Sequence, residues 1–169
     1  MVVTNLPVTL PLGQTGLWCT GSGDILVADF RVEPERPKVF VVMQFSEPYN
    51  QLYQEVIKPV CEEFALEVIR ADEVYGPGLI ISDIEQNILQ ATIIIADVTP
   101  VNANVYYELG YAHALHKQTI LIAARDTRLP FDISPFRTLF YDNTIAGKAG
   151  VEQGLRRHLK AIQQFSISN

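Results

Sequence analysis

From residue 38 onward the chain alternates short apolar runs with stretches in which apolar residues recur every three or four positions. Val39-Phe-Val-Val-Met43, Leu66-Glu-Val-Ile-Arg-Ala71, Ile93-Ile-Ile-Ala96, Gln118-Thr-Ile-Leu-Ile-Ala123 and Thr138-Leu-Phe-Tyr141 read as strands. Continuous runs without polar alternation mark strands covered on both faces, as in parallel sheets. Between them, Leu52, Val56, Val60 and Phe64 predict a first helix, which Pro59 should kink or split. Ile81, Ile84 and Ile88 predict a second. Val105, Leu109, Ala112 and Leu115 predict a third, with Asn104 as its cap, and Leu155, Leu159 and Ile162 place a terminal helix from Val151 to about Gln164. Strands and helices in alternation imply an α/β domain, and five strands suggest a flavodoxin-like (Rossmann-like) parallel sheet of order 2-1-3-4-5 over residues 38–169.

Residues 1–37 break this rhythm. Pro7, Pro11, Gly13, Gly16, Gly21 and Gly23 punctuate short apolar runs, and Thr20-Gly-Ser-Gly-Asp24 fits a hairpin turn. The expectation is a β-hairpin appendage and linker, suited to a partner or to a homo-oligomer interface.

In that strand order the switch point lies between strands one and three, where open α/β sheets bind ligands. The loops 44–50 and 97–104 meet there, joined by 72–78. Candidate lining residues are Gln44, Phe45, Ser46, Asp72, Tyr75, Gly78, Asp97, Thr99, Asn104 and Tyr107, with Glu108 just inside the third helix. Tyr75-Gly-Pro-Gly78 would let a phosphate approach a helix start. The positive helix end should favour Glu108 as an anion. Asp72 and Asp97 fit ligand contact and turn capping equally well.

The 169 residues carry a formal charge of −6, with basic residues scattered along the chain. Duplex nucleic acid, which needs a concentrated basic face, is not an expected partner. No apolar run approaches the ~20 residues of a membrane span, so a cytoplasmic protein without membrane contact is expected. Cys19 and Cys61 lack ligand spacing, and His113 and His116 lack a third ligand, so neither a metal nor another cofactor is expected. What remains is a carboxylate in a crevice of aromatic and hydroxyl groups. Glu108 could attack a sugar anomeric carbon, or stabilise the oxocarbenium-like charge on it, as a nucleobase departs, with Phe45, Tyr75, Tyr106 or Tyr107 stacking on the base. Ser46, Thr99 or Asn104 would hold sugar hydroxyls or phosphate.

Gln90-Ala-Thr-Ile-Ile-Ile-Ala-Asp-Val-Thr-Pro100 and Tyr107-Glu-Leu-Gly-Tyr-Ala-His-Ala-Leu-His-Lys117 resemble the corresponding segment of the nucleoside 2-deoxyribosyltransferase and deoxynucleotide N-glycosidase family. That resemblance implies a nucleophilic role for Glu108. Thr92 stands where family enzymes acting on deoxynucleotides carry a substrate-orienting aspartate at the start of the third strand. The first loop reads Met43-Gln-Phe-Ser46 in place of a glycine-rich one. Met43-Gln-Phe-Ser46, Arg70-Ala-Asp-Glu73, Ala96-Asp-Val-Thr99, Asn104-Val-Tyr-Tyr-Glu-Leu-Gly110 and Pro130-Phe-Asp132 are also similar to bacterial TIR-like proteins, some linked to nucleotide signalling and defence. This second resemblance implies cleavage of the glycosidic bond of NAD, or nucleotide sensing without catalysis. Both point to a small nucleoside, nucleotide or NAD as the partner.

Overall fold

The computed structural model describes residues 36–73 and 80–168. The hairpin expected in residues 1–37 lies outside them except for its last two positions. So do Tyr75 and Gly78.

Five parallel strands form one sheet: β1 (Lys38–Val42), β2 (Glu67–Arg70), β3 (Ile93–Asp97), β4 (Gln118–Ala124) and β5 (Thr138–Tyr141), in the order β2-β1-β3-β4-β5. The flavodoxin-like order read from the sequence is the one observed. β3 is central and all five of its residues are buried. Val39, Val41, Ile93, Ile95, Ile120 and Ile122 face one helical layer, while Phe40, Val42, Ile94, Ala96, Leu121 and Ala123 face the other. Two covered faces explain why these strands show no polar alternation.

The first layer holds α1 (Tyr49–Leu52), α2 (Lys58–Glu63) and α5 (Ile145–Ser168); the second holds α3 (Ile80–Gln90) and α4 (Ala103–Ala114). A π-helical turn, Tyr53–Ile57, joins α1 to α2, and the Lys58 amide donates to the Tyr53 carbonyl five residues back. Pro59 follows directly. Its missing N–H and its ring exclude an ordinary bond to the carbonyl four residues earlier, and the wider turn before it accommodates that loss. The expected break therefore takes the form of a widened turn in a continuous rod. In α3, Ile88 is buried and Ile84 packs on the core, but Ile81 is largely exposed, which corrects its expected place.

The cap of α4 is Asn102, two residues earlier than expected. Its backbone is extended, and its side chain accepts the Asn104 amide at 2.9 Å. At the other end, His116 takes a left-handed conformation (φ 54°), while its amide and that of Lys117 close the last turn on His113 and Ala112. The helix α5 begins at Ile145, ahead of the expected Val151, and buries Val151, Leu155 and Leu159.

Candidate active site

The carboxyl ends of β2, β1 and β3 are neighbours in the sheet, so their exit loops share one edge. Polar side chains tie these loops together. After β1, Gln44 accepts a short hydrogen bond from the Asn102 side-chain amide, so the residue that caps α4 also anchors the first loop. After β2, Arg70 is almost fully buried and forks onto Asp72, through Nε at 2.5 Å and Nη2 at 2.6 Å. Its remaining nitrogen donates to Asn50 at 2.9 Å, and its guanidinium lies 5.3 Å from the Phe45 ring centre and 4.3 Å from that of Tyr53. A planar cation with every face and edge engaged is a fixed post, and here it holds Phe45, Asn50 and Asp72 in one place.

Arg70 and Asn102 were not among the residues singled out as site candidates. The signal for Arg70 was an arginine closing an otherwise apolar strand two positions before an acid. For Asn102 it was the first of two asparagines before a helix.

After β3, Asp97 and Thr99 serve the scaffold. Asp97 has no exposed surface; its two oxygens accept the Thr99 amide at 3.0 Å and the Tyr141 hydroxyl at 2.9 Å. Burial pushes its carboxyl up to about 7 despite those hydrogen bonds, which pull it down. The Thr99 hydroxyl accepts the Ala124 amide at 2.9 Å and shares a hydrogen bond with Thr127 at 2.8 Å. Both side chains are spent on joining β3, β4 and β5, so their expected place on the crevice wall is corrected. Thr92, by contrast, is exposed at the amino end of β3, where its amide donates to the Lys38 carbonyl. It sits at the opposite edge of the sheet from the Glu108 loop, and an acid there would not face this crevice.

Glu108 is the sixth residue of α4, roughly 8 Å along the axis from the helix start. It is only 8 % exposed, and among the described residues no hydrogen-bond donor or cation reaches its carboxylate. Burial alone raises its carboxyl to about 7. That reverses the expected preference for the anion: the helix-end field fades within the first turn, whereas desolvation still acts there. Around it the helix exposes Asn104 and Tyr107, the latter 56 % open to solvent. Phe45 is 44 % exposed despite lying over Arg70, and Ser46 is half-buried.

No family model and no curated protein matches the chain. Solved structures do. A CMP N-glycosidase from Clostridium botulinum superposes with a TM-score of 0.52 at 17 % identity, over 78 % of this chain and 99 % of that one. A 2-deoxyribosyltransferase from Bacillus psychrosaccharolyticus gives 0.52 at 15 % identity, over 68 % and 90 %. The TIR domain of a Toll-related receptor from Hydra magnipapillata gives 0.58 at 16 % identity, over 74 % and 97 %. The shared property is the fold. These are the two groups whose sequence motifs the chain resembles, and at such identities the likeness extends to strand order and layering and stops there.

Of the two histidines of α4, His116 closes the helix, and His113 stacks on Phe136 with ring centres 4.4 Å apart, while its Nε2 is buried without a hydrogen-bond partner among the described residues.

Proposed function

We propose that this chain breaks or exchanges the N-glycosidic bond of a nucleoside or nucleotide, with Glu108 as the nucleophile. The observation that carries the reading is a carboxylate 8 % exposed, raised to about 7 by burial, without a partner among the described residues, beside the ligand-binding edge of the sheet. A structural glutamate buried this deeply is normally paired; an unpaired one costs stability, which makes it a candidate for chemistry.

In the proposed reaction a Glu108 oxygen attacks the anomeric carbon. The carbon–nitrogen bond breaks, its electron pair leaves with the base nitrogen, and the base takes a proton from water. Water then attacks the anomeric carbon, breaks the ester to Glu108 and loses a proton to solvent, which regenerates the carboxylate. A second base in place of water gives transfer. Removing Glu108 from water strengthens its attraction to the cationic sugar that develops as the base departs. Phe45 and Tyr107 offer open aromatic faces for the base, Ser46 and Asn104 polar groups for the sugar, and Asp72 a carboxylate held by Arg70.

The fold shared with a CMP N-glycosidase and a 2-deoxyribosyltransferase supports this reading. Cleavage of NAD is a second reading, favoured by the TIR-like Asn104-Val-Tyr-Tyr-Glu-Leu-Gly110 segment on a fold shared with a TIR domain. It uses the same step with nicotinamide as the leaving group. A chromatographic screen of nucleosides, nucleotides and NAD separates the two. Wild type should release a base or nicotinamide from at least one substrate, and Glu108→Gln should lose that turnover by at least about a hundredfold. Saturable binding without any product would identify a nucleotide sensor instead.

A further inference from the structure

On the opposite helical layer from Glu108, a cavity of about 240 Å³ opens between α1 and the start of α5. Tyr49, Leu52, Val56, Tyr141 and Val151 form its apolar walls, and Gln51 and Asn143 stand on its rim. We propose that this cavity is a second ligand site, which takes a small neutral heteroaromatic ring of nucleobase size and is coupled to the loop after β3 through Tyr141, Asp97 and Thr99.

Three features carry this. The first is how the cavity is built. α5 starts close against the chain that leaves β5: the Thr144 hydroxyl accepts the Gly147 amide at 3.0 Å, and a methyl group on Gly147 would sit 1.9 Å from the Asp142 carbonyl oxygen. Only a glycine permits that approach, so the cavity's edge is fixed by backbone.

The second feature is its chemistry. Both charged pairs beside it are internally matched, Glu55 with Lys148 at 2.9 Å and Asp142 with Arg125 at 3.2 Å. The charged residues of the lining thus have partners of opposite sign, and two tyrosine rings and two amide side chains suit a flat molecule with mixed donor and acceptor edges. A cavity of about 150 Å³ admits benzene, and sites for drug-sized ligands begin near 300 Å³, so the size of this one matches one or two fused rings.

The third feature is the connection. Tyr141 lines the cavity and donates to Asp97, whose other oxygen accepts the Thr99 amide in the loop that leads to Asn102 and α4. A ligand that shifts the Tyr141 ring thus bears on the segment that positions Glu108.

The test is a titration of isotope-labelled protein with adenine and with cytosine, followed by amide chemical shifts. The site predicts saturable shifts at Tyr49, Leu52, Gly147 and Val151, with Thr99 moving in parallel. Leu52→Trp, which fills the cavity, should weaken this binding at least about tenfold. Tyr141→Phe should preserve the cavity shifts and abolish the one at Thr99. Shifts confined to Gln44 and to residues 102–108, or no saturable shift for either base, overturn the site. If Leu52→Trp fails to fold, the wild-type shift map decides. None of these readouts requires turnover, so the site stands or falls independently of the reaction at Glu108.

Discussion

At Glu108 desolvation and helix electrostatics act in opposite directions, and burial prevails. This has a consequence for stability. Unfolded, the carboxyl titrates near its ordinary 4.5; folded, near 7. Between those values the folded chain keeps a proton that the unfolded chain has released, so stability falls as pH rises through the window, and the penalty is complete above about pH 7. The shift corresponds to about 3 kcal/mol. Glu108→Gln removes the penalty. It should melt on the order of 10 °C above wild type at about pH 8 and match it at about pH 4, as followed by thermal denaturation. Activity should move the other way with pH, since the nucleophile is the carboxylate: turnover should rise toward a plateau with an apparent pKa near 7. A variant that loses turnover and gains alkaline stability separates a catalytic carboxylate from a structural one, which would lose stability when replaced. At this scale the sequence misjudged the surroundings of Glu108, because helical spacing does not report how much protein covers a side chain. The same limit hid Arg70, whose burial depends on Tyr53 and Phe45 arriving from other elements.

The elements show where apolar spacing informs and where it misleads. The first helix retained its four-residue apolar rhythm across the π-helical turn, so the turn left no trace in the pattern. The start of α5 was missed because Gly147, Gly150 and the exposed Ile145 obscure its periodicity before Val151. Two glycines in these helices make opposite predictions. Gly147 meets the Asp142 carbonyl, which is backbone and cannot swing away, so Gly147→Ala should cost about 2 kcal/mol or more in urea unfolding. Gly110, in the Glu-Leu-Gly motif of α4, has nothing among the described residues within 4 Å of where a methyl would sit. Gly110→Ala should stabilise by about 0.5–1 kcal/mol, the ordinary helix preference for alanine. A Gly110→Ala that destabilised would mean that another group occupies the space over the exposed face of α4.

Across the described residues, the architecture was legible because it rests on collective patterns. Five mainly apolar runs pointed to a sheet covered on both faces, and alternation with helices pointed to parallel strands. Strand order then placed the exit loops of β1, β2 and β3 at one edge, where Glu108 was expected and where its helix begins. The pattern could not reveal which polar residues at that edge hold the scaffold and which remain free. Asp97 and Thr99 look like ligand groups until Tyr141, Ala124 and Thr127 reach them from other strands and loops. Thr92 looked decisive until the sheet put it at the far end. With those residues reassigned, the proposed chemistry rests on one carboxylate without a partner among the described residues. The measurement that tests it most directly is intact-protein mass spectrometry after acid quench during turnover of the best substrate from the screen. The account predicts a mass increase of one glycosyl unit, mapped to the peptide containing Glu108 and absent from Glu108→Gln. A glycosyl group mapped to a different residue, or base release by Glu108→Gln at the wild-type rate, would contradict it.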